Sequence, residues 1–197
     1  MRKSGVATAG AAVIGNVIAS NASAGSTIEK GLLGLVFSIA MVGCTSLHAA
    51  PSAQATLAPT KGHTAHGTVT FTQDGDKVAV DADIAGLTPG AHGFHVHANG
   101  DCSAPDATSA GGHFDPGHHH HGDPSGHEHH EGDLPMLHAD ADGHARLHVE
   151  MPLLSLESGP DDIVGKAVIV HEHADDFSTQ PTGNAGARVA CGVIMAR

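Results

Sequence analysis

Between Thr68 and Ile84, apolar and polar side chains alternate with a period of two. Thr68-Val-Thr-Phe-Thr72 is one such run. Lys77 to Ile84 is a second, with Val78, Val80, Ala82 and Ile84 on one side. That period places alternate side chains on opposite faces of an extended strand, and Asp74-Gly75 between the runs is a hairpin signal. Pro89-Gly90 marks another turn before a third predicted strand, Gly93-Phe-His-Val-His97. Ala139-Asp-Ala-Asp-Gly143 is a turn before Ala145-Arg-Leu-His-Val-Glu150, in which Ala145, Leu147 and Val149 share a face. Lys166-Ala-Val-Ile-Val-His171 and Arg188 to Met195 complete the set. Beyond residue 44 no stretch keeps the 3.6-residue apolar period of a helix for long. Short strands with turn signals between them predict an all-β sandwich or barrel. Ala98 to Pro135 and Glu172 to Ala187 are too long for tight turns, and long ordered loops on a β scaffold are where function concentrates.

The beginning of the chain follows another pattern. Met1-Arg2-Lys3 leads into an Ala/Gly/Val/Ile-rich run ending near Ala24, and a second apolar run follows Lys30 from Gly31 to Gly43. The second run is too short to span a bilayer comfortably and suits the apolar region of a secretory signal. Met41-Val-Gly-Cys44 is similar to a bacterial lipobox, in which Cys44 would be acylated and become the mature N-terminus. Cleavage by the ordinary signal peptidase near Ala49 or Ala55 is the alternative. Two stacked signals leave the initiation codon and the cleavage site open. Residues 1–44 are thus expected to be an export signal, and 45–54 an Ala/Pro/Ser/Gln-rich tether merging into a first strand. Residues 55–197 are expected to form one ordinary domain.

Charge narrows the function classes. The chain carries a formal charge of -12. Beyond residue 44 it has 6 basic against 20 acidic side chains, a balance of -14. That excludes a nucleic-acid partner, which needs a basic surface to displace counterions. With 5 Phe and neither Trp nor Tyr, the core has to come from Val, Leu, Ile and Ala. Three cysteines are present, and if Cys44 takes a lipid, Cys102 and Cys191 remain as one pair. A structural disulfide implies an oxidising compartment, the periplasm or the cell exterior. Closing that loop would contribute roughly 4–5 kcal/mol on the chain-entropy account.

The 19 histidines demand an explanation, because neutral imidazole is the commonest transition-metal ligand side chain. Copper, zinc, nickel and iron all suit imidazole, whereas calcium prefers oxygen donors. His95-x-His97 lies on a strand, so both rings point to one face. His113 follows in Gly111-Gly-His-Phe-Asp-Pro116, then His121, His130 and Asp133, and His171 ends the Val168-Ile-Val-His run. His95, His97, His113 and His171 could hold copper, while His113, His121, His130 and Asp133 could hold zinc tetrahedrally. His113 belongs to both sets and as an imidazolate could bridge the two ions.

Over roughly Ala55 to Arg197 the chain resembles the copper/zinc superoxide dismutases. The resemblance rests on Gly93-Phe-His-Val-His97, Gly112-His-Phe-Asp-Pro116, Gly132-Asp-Leu134, Val170-His-Glu172 and Gly183-Asn-Ala-Gly-Ala-Arg-Val-Ala-Cys-Gly-Val193. The intervals from His113 to His121, His130 and Asp133 also match the family's zinc loop. It implies an eight-stranded Greek-key β-barrel with two long functional loops, and copper and zinc as cofactors. It also implies superoxide as substrate, dismutated to dioxygen and hydrogen peroxide with His113 carrying a proton. By the same resemblance Arg188 sits beside the copper and orients superoxide, with Thr182 on the opposite rim. Asp175 supports His95 and His121 from behind, Cys102 and Cys191 form the disulfide, and His92 is structural.

A metal buffer on the same scaffold is the rival reading. It would be expected to lack a copper ligand or the channel arginine, and neither is missing. A copper-only enzyme is disfavoured by His121, His130 and Asp133. The surplus imidazoles of His118-His-His120, His127 and His129 leave the zinc register open to His120 or His129. They read either as a device for capturing scarce metal or as a tolerated low-complexity insertion, and His63-Thr-Ala-His66 poses the same choice. No lysine occurs from Ala98 to Ile163 or from Glu172 to Ala187, which predicts weak long-range steering of the anionic substrate. No apolar stripe selects a subunit interface, so a homodimer and a monomer both stay open.

Overall fold

The computed structural model describes residues 49–197. The lipobox and the export signal lie outside these residues. Nine strands run β1 (Ser52–Pro59), β2 (His66–Asp74), β3 (Lys77–Ala85), β4 (Gly90–His92), β5 (Phe94–His97), β6 (Leu137–Ala139), β7 (Ala145–Met151), β8 (Ala167–His171) and β9 (Arg188–Ala196). A single 3-10 turn, Thr108–Ala110, is the only helical element among the described residues.

Seven strands form one antiparallel sheet in the order β5-β8-β9-β1-β2-β3-β7, and β4 pairs with β6 in a short ribbon. The neighbours β3–β7, β5–β8 and β9–β1 are distant in sequence, the pattern of Greek-key connections. The ribbon is continuous with both edges of the sheet. β4 runs into β5 across Gly93 alone, and β6 runs into β7 through the Asp140–Gly143 turn. The resemblance implies eight strands. Nine are seen because the chain changes partners at Gly93, pairing with β6 before it and with β8 after it.

The alternation predicted for β3 appears as strict burial of Val78, Val80, Ala82 and Ile84. The β2–β3 turn is Gly75-Asp76, one residue later than the sequence signal, since Asp74 still pairs with Lys77. On β7 only Ala145 and Met151 are fully buried, while Leu147 and Val149 are half-exposed on an edge strand. β1 begins at Ser52, inside the stretch read as tether. Ala53, Ala55 and Leu57 alternate into the core, but two of these are alanines set among polar residues, so the run carries little hydrophobic contrast.

Phe71, Phe94, Ile84, Leu134, Leu137, Ile163 and Ile194 are the largest fully buried apolar side chains of the main core. Phe114 and Leu134 of the 98–135 loop join this core and fix that loop to the barrel. On the outer face of β8 and β9 a second small cluster forms from Ala107, Ala110, Ala167, Ile169 and Cys191. The Cys102–Cys191 disulfide ties the loop down over it, with Cα atoms 5.8 Å apart. The β5–β8 region is therefore buried on both faces.

Candidate metal centre

Period-two geometry decides which face carries the chemistry. Phe94 and Val96 of β5, and Val168 and Val170 of β8, belong to the inner core. The residues between them, His95, His97 and Ile169, point to the opposite face under the loop. At the end of β8 the register to β9 shifts between Val170 and His171. Such bulges re-aim a side chain. The 98–135 loop doubles back along β5, making isolated bridges His97–His113 and His95–Asp133. These bridges bring His113 and Asp133 beside the strand histidines.

Each ring nitrogen then has a definite task. His95 Nε2 donates to Asp175 Oδ2 (2.6 Å), His97 Nδ1 to the Gly111 carbonyl (3.0 Å) and His171 Nδ1 to the Gly186 carbonyl (3.3 Å). Fixing the proton on one nitrogen leaves a lone pair on the other. The opposite nitrogens, His95 Nδ1, His97 Nε2 and His171 Nε2, are buried and unpartnered, as is His113 Nε2. Ligand atoms of these four residues lie within 4.8 Å of one another. One unpaired buried nitrogen costs about 1–3 kcal/mol. Four converging lone pairs fit a cation that accepts them all.

The second cluster lies on the other side of His113. His113 Nδ1 is 2.7 Å from Asp133 Oδ1, and His121 Nδ1 is 3.0 Å from the same oxygen. His130 Nδ1 is 3.4 Å from both Asp133 Oδ1 and His113 Nδ1. A tetrahedron with arms of about 2.0–2.1 Å has edges of roughly 3.3 Å, close to these separations. Asp133 Oδ2, also 3.0 Å from His121 Nδ1, accepts from the amides of Gly122 (3.2 Å) and His130 (2.9 Å). His121 and His130 meet Asp133, whereas His120 is exposed and His129 turns its Nδ1 to the His130 carbonyl at 2.7 Å.

Burial pushes the His97, His113 and His171 rings towards the neutral form that binds metal. It holds His97 well below its ordinary value and draws His171 to about 3. His113 falls to about 4 in spite of its bond to Asp133. Burial also pulls His121 down, but the hydrogen bonds and charges of Asp133 and Asp175 outweigh it and raise the ring to about 9. Burial alone would raise both carboxylates. The imidazoles around Asp133, and His121 and His95 on Asp175, hold them well below the usual range instead.

Asp175 joins the two clusters, because its second oxygen accepts from His121 Nε2 at 2.8 Å. Gly183 packs against that carboxylate with φ of +65°, and a Cβ there would collide with Asp175 Oδ1. Arg188 donates from Nη1 to the Ala107 carbonyl and from Nη2 to the Gly111 carbonyl, both at 2.6 Å. Gly111 O is also the acceptor for His97, so one carbonyl anchors the arginine and a ring of the first cluster. Burial lowers the Arg188 guanidinium, and Asp106 acts in the opposite sense. Thr182 is half-buried on the loop that carries Asp175 and Gly183. His92 is buried outside both clusters, donating from Nδ1 to the His171 carbonyl at 2.8 Å with Nε2 facing Thr88. His148 is exposed and pairs with Asp81.

Lys61 was not among the candidates. It lines a depression of about 270 Å³ with His63, Asp106, Thr108 and Arg188, and its amide donates to the Pro105 carbonyl. No local signal places a β1–β2 loop residue beside Arg188, since that contact depends on the loop held by the disulfide.

Fold and site together define a class: a Greek-key β-barrel with a histidine-rich, carboxylate-supported two-ion centre on its outer face. The family model described as copper/zinc superoxide dismutase (SODC) matches residues 65–194, more than half of the chain. The chain belongs to that family. It is 36% identical over 173 residues to a superoxide dismutase [Cu-Zn] of Deinococcus radiodurans, covering 82% of this chain and 93% of the relative. It is 41% identical over 138 residues to an extracellular superoxide dismutase [Cu-Zn] of Brugia pahangi, covering 66% of this chain and 68% of the relative. Among solved structures it is similar to the clock protein EA4, with a TM-score of 0.68 and 44% identity. That match covers 75% of this chain and 96% of the other.

Proposed function

We propose that the protein is a superoxide dismutase, converting two superoxide anions and two protons to dioxygen and hydrogen peroxide. The observation that carries this reading is the division of His113 between two clusters. Its Nε2 is one of four unpaired nitrogens in the first, and its Nδ1 faces Asp133 in the second. His95, His97, His113 and His171 would hold copper, and His113, His121, His130 and Asp133 would hold zinc. Copper held there would supply a one-electron couple for oxidising one superoxide and reducing the next, and zinc a redox-silent charge that would fix the loop. His113 would be free to take up a proton at Nε2 only when that nitrogen is not engaged by the ion, and would give it to the departing peroxide, the second proton coming from water. Arg188, with two of its N–H groups fixed on carbonyls, turns the others to the anion and orients it. Asp175 keeps His95 and His121 in one tautomer and one orientation.

The Cys102–Cys191 disulfide and an extracellular relative support an exported protein. Within that reading we assign residues 1–44 to the signal and 45–51 to the tether, with the enzyme beginning at β1. Cys44 is the lipid-bearing residue in the periplasm or cell envelope. Superoxide decay and metal stoichiometry of the purified mature protein test the function. His113→Ala is expected to abolish activity, and His120→Ala to leave it unchanged. Binding of both metals without any superoxide decay would establish the metal-buffer reading instead.

A further inference from the structure

Glu131 is a buried carboxylate that its surroundings do not satisfy. Its side chain is 8% exposed, and Oε2 has no hydrogen-bond partner. Buried polar groups are normally paired, and a buried charge without a partner is costly. Asp133, two residues further on, shows the usual outcome: three imidazoles and two amides engage it. The remaining oxygen of Glu131, Oε1, faces His119 Nε2 across 3.8 Å. That separation is too long for a hydrogen bond. It is slightly wider than the roughly 3.3–3.6 Å edge of a zinc tetrahedron, a gap of a few tenths of an ångström that the half-exposed His119 ring can close by turning.

The approach of these groups is built into the backbone. A Cβ on Gly117 would lie 2.5 Å from both Glu131 Oε1 and His119 Nε2, so any larger residue there would force them apart. The His119 amide donates to Asp115 Oδ1 at 2.8 Å. The second Asp115 oxygen lies 3.8 Å from Nε2 of His130, whose Nδ1 belongs to the buried zinc cluster. Glu131 is joined to His130 by a peptide bond. The pair therefore adjoins the zinc cluster by two short routes. On the solvent side His118, His120 and His127 are exposed.

We propose that His119 and Glu131 form a third, outward-facing site for a divalent zinc ion at the rim of the buried zinc cluster. Water completes its coordination, so it binds more weakly than the four-residue centre. The exposed imidazoles of His118, His120 and His127 raise the local zinc concentration, and the ion passes inward towards His130. Binding at the third site is independent of the dismutase reading. Only the loading role rests on the assignment of the buried zinc centre.

The test titrates zinc into protein that already carries its copper and zinc, following binding by calorimetry. A third equivalent is expected. His119→Ala and Glu131→Gln should weaken it by about tenfold or more, the scale of losing one ligand of few. His127→Ala should change it by less than about threefold. His119 is exposed, so its variant tests the site even if Glu131→Gln fails to fold. Absence of a third equivalent in the unaltered protein overturns the proposal. So does unchanged binding in His119→Ala, or an equal loss in His127→Ala. A second measurement follows zinc uptake by the metal-free protein from a chelator at limiting zinc. Slower uptake by His119→Ala to the same final stoichiometry supports the loading role, and equal rates overturn it.

Discussion

Asp175 lies behind both ions of the proposed centre while ligating neither. Its two oxygens accept from His95 and His121 at 2.6 and 2.8 Å, inside a pocket where both carboxylate and rings are fully buried. An amide in its place can accept with one atom only, so Asp175→Asn must free one ring. Affinity for copper, zinc or both is expected to fall by about 10–100-fold, read by competition with a chelator. Unchanged affinity for both ions would show that packing alone holds the rings. Asp175 was legible only through the family motif, since two adjacent aspartates on a loop look like a solvated turn. The metal-facing histidines were more open to reading, because strand alternation predicts that His95 and His97 share a face. The family's intervals pointed to His121 and His130, while the side chains alone left His120 and His129 open. Identical neighbouring side chains carry no register of their own.

The 98–135 loop is the element on which the site depends. It supplies His113, His121, His130 and Asp133, and also the carbonyls of Ala107 and Gly111 that hold Arg188. It is secured by Phe114 and Leu134 in the core and by the Cys102–Cys191 bond. Removing the bond with Cys102→Ser and Cys191→Ser is expected to cost about 4–5 kcal/mol of stability on the chain-entropy account. At a temperature where the variant is still folded, activity should fall as well, because Arg188 loses its fixed acceptors. Full activity in a folded, destabilised variant would separate the loop's anchoring from the arginine's. Strands β2, β3, β8 and β9 were readable from apolar pattern, but β4 and β6 were not. Each has three residues and is held by pairing with the other, which no local window contains.

At the scale of the molecule, the metal-free protein carries opposed titrations. His171 at about 3 and His113 at about 4 lie below the ordinary 6.5, so the unfolded chain binds more protons between those values. Their contribution makes stability fall as pH drops from 6.5 towards 4. His121 at about 9 acts in the other sense: its contribution is complete below 6.5 and is lost as pH rises through 9. The Tm of the metal-free protein should therefore peak near neutrality and decline on both sides. Zinc should remove the alkaline decline by replacing the proton on His121. A metal-free Tm that rises steadily from pH 6.5 to 9 would contradict this. Long-range steering should be weak, because a net -14 beyond residue 44 faces only Arg188 and Lys61 at the channel, with Asp106 opposing them. The expected change in kcat/KM between low salt and about 0.15 M is under about twofold. A steep fall would show that the local cations dominate. Finally, β1 runs the height of the barrel. Its far end, Pro59, leads into Thr60, whose hydroxyl donates to the Arg188 carbonyl, while its near end, Ser52, receives the amide of Arg197. Seven steps of about 3.3 Å separate those ends by roughly 23 Å. A load on the chain just before Ser52 is thus taken up at the end of β1 away from Arg188, where Arg197 latches the strand, and leaves the arginine's acceptors undisturbed.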